Sequence, residues 1–397
     1  MHPGCNPFTP AEMSKRKVLF VIDSFATGGA EKSLLDIIPR MPSITSVVCG
    51  VYADQSLLGQ YRQAGITTLH LNLKGKYEWR RAFLLLSEVV ERERPQIIHS
   101  TLFRSNILSR LLARKYKLKL VTSLVSDSYG EVRIGQMSLA RKLKLYAIRL
   151  LDKRTVSLVD LFIANSRSVR SSNADILGIP PENIQVIYRG REGKRFMNDR
   201  AVEVAQLRAW LNLGENEFVF LNVGRLVESK GQLDLIKVMP SIVAVYPETR
   251  LLIAGEGPFR HVLENAISES GMEVHVSLLG NRMDVPALLK LAHVFVFPTY
   301  YEGHSGALIE AMFSGVPILA SDIGPNAETL NDATGTMFSA GNPEELKGVM
   351  IASIKNYDHL CKKSVAALKY AVDNFEVENV AGTYEHLYRQ LTLGPKP

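Results

Sequence analysis

Apolar positions come in short blocks separated by longer stretches of mixed character. "VLFVID" (18–23) is a continuous apolar run, the pattern of a strand covered on both faces. "AEKSLLDIIPRM" then spaces its apolar residues at helical intervals. The alternation continues through "SVVCGVY", "SLLGQYRQAG", "ITTLHL", "WRRAFLLLSEVVERER", "PQIIHS", "RSNILSRLLARKY", "KLVTSLV", a basic helix over 138–154, and "LFIANS". It breaks at 178–200, where "GIPPENIQVIYRGREGKRF" is rich in Pro, Gly and charge. It restarts with "EFVFLNVG", "GQLDLIKVMPSIVAVY" and "TRLLIAG", and runs on through "VFVFPT", "ALIEAMFSG" and "VPILAS".

Strand–helix alternation of this kind predicts α/β architecture, with parallel sheets covered by helices on both faces. The break implies two Rossmann-like, doubly wound domains, at 17–190 and 191–374, joined by a linker. Residues 1–16 read as a flexible tail. The helix at 374–392 has its own apolar stripe and suits either domain. Two such domains facing each other form a cleft, and ligands in open α/β sheets sit beyond the carboxyl ends of the strands.

Composition narrows the class. Of 397 residues, 46% are hydrophobic and 22% charged, which argues against disorder. No apolar run approaches the roughly 18–20 residues needed to cross a bilayer. "KRKVLFVIDSF" is too short in its apolar part for a signal peptide, so a cytoplasmic protein is expected. Cys5, Cys49 and Cys361 are far apart with no CxxC, which argues against a disulfide framework or a zinc site. Between Arg104 and Arg154 stand 13 Lys/Arg against three acids, whereas the whole chain carries +7. The helix "SLARKLKLYAIRLLDKR" mixes that charge with Leu, Tyr and Ile. It suits a solvated face, or peripheral contact with an anionic membrane or a lipid-linked acceptor. No nucleic-acid recognition motif occurs, so nucleic acid is not an expected partner.

The strand ends carry the candidate chemistry. Gly28 and Gly29 open a helix whose first N–H groups favour anions. Arg225 and Lys230, in "NVGRLVESKG", suit a diphosphate. Gly257 and Gly280 stand where later strands stop. Gly303 and Gly306 bracket the turn after "VFVFPT", and Ser305 is a good N-cap, leaving N–H groups of 304–307 free for phosphate or sugar oxygens. Glu310, early in that helix, can accept two hydrogen bonds from a vicinal diol such as a ribose. Glu302 precedes the turn, where the helix dipole explains it less well.

The pair Glu302–x7–Glu310, with "NVGRLVESKG", "AGEGP" and "TGGAE", resembles the retaining glycosyltransferases of family four, with the GT-B fold. The likeness runs from about Val18 to Leu391 and is most specific at 298–325. It implies transfer of a sugar from a nucleotide-diphosphate donor, UDP favoured and GDP next, to a glycan or lipid-linked acceptor. It implies no cofactor and no metal, and no Asp-x-Asp occurs in the chain. By the same resemblance Arg225 and Lys230 neutralise the leaving diphosphate. Glu310 takes the ribose and Glu302 the transferred sugar or reacting centre. The backbone at His304–Gly306 takes sugar and phosphate, and Leu279, Gly280 and Arg282 frame the base. The final helix, 375–397, crosses back onto the first domain.

The chain departs from the family pattern in three places. Val125, followed by Ser126 and Asp127, stands where many members have a histidine, and Asp127 is the candidate contact for acceptor or reacting sugar. The family's HxH is here only His99–Ser100–Thr101. "IPNGVD" has become "IYRGRE" (187–192), with Arg189 replacing an Asn. His304 is expected as a wall of the donor pocket and His99 as a packed residue. These departures keep two alternatives open: a GT-B epimerase or hydrolase of nucleotide sugars, and a binding protein without catalysis.

Overall fold

The computed structural model of the protein describes residues 15–75, 78–127, 129–130, 134 and 138–393. The tail expected at 1–16 lies outside them except for Lys15 and Arg16, and Arg16 already opens the first strand. Seven parallel strands form one sheet: β1 (Arg16–Ile22), β2 (Ile44–Tyr52), β3 (Thr67–Leu73), β4 (Ile97–Thr101), β5 (Lys119–Leu124), β6 (Leu161–Ala164) and β7 (Ile184–Val186). Their order is β3-β2-β1-β4-β5-β6-β7. Six more form a second sheet: β8 (Phe218–Val223), β9 (Thr249–Ala254), β10 (Val276–Gly280), β11 (Val294–Phe297), β12 (Ile318–Ser321) and β13 (Thr336–Phe338), ordered β10-β9-β8-β11-β12-β13. Each sheet reverses its winding direction once, at β1/β4 and at β8/β11. Those switch points are where an open α/β sheet forms its crevice.

The interiors follow from the sequence blocks. Val18, Leu19, Phe20, Val21 and Ile22 are all at most 1% exposed, because helices cover both faces of β1. Phe295 and Phe297 on β11 pack with Leu308, Met312 and Phe313 of the helix Gly306–Ser314 in the second core. Each such side chain contributes on the order of 1.5–3 kcal/mol by leaving water. β7 is the one structured strand inside the Pro/Gly-rich stretch taken as linker. With three residues it is too short to show a periodicity, but it pairs with β6 from Phe162↔Ile184 to Ala164↔Val186.

The last helix, Val377–Leu393, buries Val377, Val380, Ala381, Leu387 and Tyr388 in the core of the first sheet. The Tyr388 hydroxyl lies 2.5 Å from His99 Nδ1, and His99 Nε2 lies 2.7 Å from Ser123 Oγ. His99 is therefore packed, and burial pushes it down to about 3, so it stays neutral.

Polar contacts fix the approach of the two domains. The Glu328 carboxylate accepts from the N–H groups of Arg167 and Ser168 and from Ser168 Oγ, each at 2.6 Å. It thereby satisfies the start of the helix Arg167–Leu177 from across the cleft. Arg191, 5% exposed, donates from Nε to Glu310 at 2.7 Å and has Nη1 3.4 Å from Asp36. One linker guanidinium thus ties a helix of the first domain to a helix of the second. Replacing it by an isosteric apolar residue would leave two partly buried carboxylates facing each other, at a cost on the order of 3 kcal/mol. Urea unfolding of Arg191→Met is expected to show that loss, while Arg191→Lys recovers part of it.

Candidate functional site

The site forms where the loops after β1, β8 and β11 meet the linker. After β8, Arg225 is exposed, and its guanidinium has no partner among the described residues. The chain then makes a tight turn, Glu228–Lys230, ended by Gly231 at φ +67°. That left-handed conformation favours glycine, and a Cβ there would also lie 2.1 Å from the Pro298 carbonyl oxygen. The turn is pinned to the end of β11 by two bonds to the Ser229 carbonyl, from Thr299 Oγ1 at 3.0 Å and from the Tyr300 N–H at 2.9 Å. This pinning brings Lys230 onto Glu302, with which it forms an ion pair. Burial pushes the Lys230 ammonium down to about 7, with Arg189 and then Arg225 adding to the drop. Three cations therefore share one space with a single paired acid.

The turn after β11 is shaped by both domains. Gly303 meets the first domain so closely that a Cβ would lie 2.1 Å from the Val125 carbonyl oxygen. His304 is fully buried, with its ring against Tyr188 and Phe375 at centroid distances of 5.1 and 5.4 Å. Its Nδ1 accepts from the Arg189 N–H at 3.2 Å, while Nε2 has no partner among the described residues. Burial first, then Arg189 and Arg191, push this ring down to about 3. It is a neutral wall, not a proton carrier near neutral pH. Ser305 caps the helix Gly306–Ser314 by accepting from the Leu308 N–H at 3.4 Å. Its missing side chain lets Gly306 accommodate the Arg191 guanidinium. Glu310 Oε1 accepts from Arg191 Nε; its Oε2 accepts from none of the described residues.

The remaining candidates fall into distinct places. Gly28 and Gly29 begin the helix Gly29–Ile37, as the glycine pair suggests. Gly257 lets two loops cross, since its Cβ would lie 2.2 Å from the Leu226 carbonyl oxygen; its glycine is explained by backbone packing. Gly280 ends β10 at φ +70° and accepts from the Gly255 N–H at 2.8 Å. Arg282 is engaged elsewhere: it donates to Asp284 at 2.8 and 2.6 Å and lies 4.6 Å from the Trp210 ring centroid. Asp127 accepts from Ser172 Oγ at 2.6 Å, on the loop whose Val125 presses against Gly303. The described residues contain no group of three or more His, Cys, Asp or Glu placed to hold a metal ion.

Two arginines were not assigned roles by sequence. Arg191 carries no motif, and Arg189 stood out only as a departure from the family pattern. Arg189 lies beside Gly29, where a Cβ would come within 2.6 Å of its Nη1. Beyond that departure, the signal for both was the density of charge in "YRGRE", in a stretch otherwise read as linker.

The comparisons bear on the family and the fold. Residues 27–192 match the model described as Glycosyltransferase Family 4, and residues 204–371 match Glycosyl transferases group 1. An uncharacterized glycosyltransferase of Methanocaldococcus jannaschii is 33% identical over 115 residues, 29% of this chain and only 28% of that one. The UDP-Gal:alpha-D-GlcNAc-diphosphoundecaprenol alpha-1,3-galactosyltransferase of Escherichia coli is 26% identical over 288 residues, 68% of this chain and 69% of its own. The crystal structure of Anabaena HepE in complex with UDP-glucose superposes with a TM-score of 0.83 at 21% identity, covering 94% of this chain and 99% of that one. With its paired parallel sheets, its C-terminal helix crossing back onto the first domain and the two family matches, the chain belongs to the group 1, family-four glycosyltransferases and has the GT-B fold.

Proposed function

We propose that the protein is a metal-independent, retaining glycosyltransferase that moves a sugar from a nucleotide-diphosphate donor to a glycan or lipid-linked acceptor. The observation that carries this reading is the meeting of Arg225, Lys230 and the unpaired N–H groups at the start of Gly306–Ser314 around one cleft. As the bond between the sugar C1 and the phosphate oxygen breaks, negative charge grows on the leaving diphosphate. Fixed cations and N–H dipoles stabilise that charge, by ~3–4 kcal/mol for one well-placed donor. The acceptor oxygen forms its bond to C1 on the departing side, and its proton passes to the leaving phosphate oxygen. In this reading Glu310 Oε2 receives a ribose hydroxyl while Oε1 stays on Arg191. Glu302 and Asp127 face the transferred sugar and the acceptor. A uracil base is favoured, and the Escherichia coli relative and HepE, named for UDP-Gal and UDP-glucose, support it. The test is donor turnover in EDTA: wild type is expected to keep its rate, and Arg225→Gln with Lys230→Gln to lose at least about 100-fold. Loss of turnover in EDTA, or an unaffected double variant, would contradict the reading.

The acceptor side is proposed to meet an anionic membrane. The helix Leu139–Thr155 exposes Leu139, Leu143 and Tyr146 at 75, 65 and 60%. These residues, with Tyr129, Ile134 and Leu145, line an open apolar cavity of about 290 Å³ into which Lys142 and Arg149 also face. Exposed apolar side chains beside cations are the composition of an interfacial helix. Not all the local charge serves it, because Arg110 is buried and paired with Asp152. No helix among the described residues is long and apolar enough to cross a membrane. Sedimentation with vesicles containing phosphatidylglycerol should retain the protein at low salt and release it as salt rises. Equal retention on neutral vesicles would contradict the proposal.

A further inference from the structure

Arg189 is a cation without an ion pair, although Glu31 and Glu310 are near enough to favour its charge. It stands on the linker between the two domains, and no carboxylate among the described residues comes within ion-pair distance of it. Its backbone N–H is fixed on His304, so the side chain has a defined direction, past Gly29 and into a cavity. That cavity is lined by Ala30, Thr101, Ser123, Val125, Asn165 and Arg189, among others. Two of its side chains are over nine-tenths buried and carry polar oxygens with no partner among the described residues: Thr101 Oγ1 and Asn165 Oδ1. Gly29 and Ala30 start the nine-residue helix Gly29–Ile37, and no bond from the N–H of either occurs among the described residues. Its nearby acid, Glu31, is 5% exposed; burial pushes its carboxyl upward while Arg189 pulls it down, and the two form no ion pair. A guanidinium, a helix N-terminus and a buried hydroxyl therefore converge from one side. Lys230 and Arg225 approach from the other, and both Arg189 and Arg225 act on Lys230.

We propose that Arg189 is a third diphosphate-binding cation: with the Gly29–Ala30 N–H groups and Thr101 Oγ1 it holds phosphoryl oxygens on the first-domain side of the cleft, opposite Arg225 and Lys230. A desolvated guanidinium held without an ion pair, with only the longer-range pull of Glu31 and Glu310, is unfavourable in the free protein, and an anion between the three cations reduces that penalty. Asn165 Oδ1, an acceptor, is left for a sugar hydroxyl. Replacement of the family's Asn by Arg then adds positive charge where the leaving group develops negative charge, and no bond-making step beyond those already described is required. The inference rests on the donor reading above.

Calorimetric titration of the full chain with UDP, uridine and inorganic pyrophosphate tests it, with GDP and guanosine in parallel. Arg189→Gln is expected to weaken pyrophosphate and the nucleoside diphosphate by about 10-fold or more, while nucleoside affinity stays within about 2-fold. Arg189→Lys should recover part of the loss. The inference is overturned if Arg189→Gln binds pyrophosphate as wild type does, or if nucleoside affinity falls as far as diphosphate affinity. Arg225→Gln with Lys230→Gln separates the two levels. If that double variant loses diphosphate and Arg189→Gln does not, only the role of Arg189 falls. If neither loses it, or wild type binds no diphosphate, the donor reading falls too.

Discussion

Like charges crowded into a cleft are the constraint on which the rest of this structure turns. Arg189, Arg225 and Lys230 come from the linker and from the loop after β8, and only Glu302 among the described acids pairs with any of them. Arg225 is exposed and Lys230 is paired, so the cost of holding a desolvated cation without an ion pair, several kcal/mol per ion, falls on Arg189, which must be held there by other means. Gly231 pins the turn bearing Lys230 against β11, and the His304 contact fixes Arg189. Arg191 differs from its neighbours because it is fully compensated, by Glu310 on one side and Asp36 on the other. The linker thus contributes one arginine that locks the domains together and one that remains unneutralised.

This division clarifies the two glutamates after β11. Glu302 and Glu310 belong to one motif eight residues apart but have different electrostatic partners: Glu302 rests on a cation of its own domain, and Glu310 on a linker cation that also reaches the first domain. A ligand that engages Glu310 therefore touches the same carboxylate that holds the domains in register.

Much of the fold was legible because parallel strands covered on both faces read as unbroken apolar runs, and thirteen strands alternating with helices leave few arrangements. β7 and β13 were not, since three residues cannot display a period. The motif residues at strand ends were legible because glycine turns and helix starts have local chemistry. Arg191 on Glu310 and Arg189 beside Gly29 were not, because their partners lie 119 and 160 residues away in sequence, and nothing local sets the direction of a linker side chain. Arg282, assigned to the base by the family resemblance, has partners close in sequence and in space: Asp284, two residues on, and the Trp210 ring.

The central claim, that mutually repelling cations await a diphosphate, is tested most directly at Lys230 itself. Nuclear magnetic resonance of the lysine side chains, assigned with Lys230→Arg, follows its titration without and with inorganic pyrophosphate. The account predicts a midpoint near 7 in the free protein and a rise of at least about 1.5 units when pyrophosphate is bound, since an opposite charge favours the ammonium. An ordinary lysine midpoint near 10.5 in the free protein, or a depressed one that pyrophosphate leaves unmoved, would contradict it.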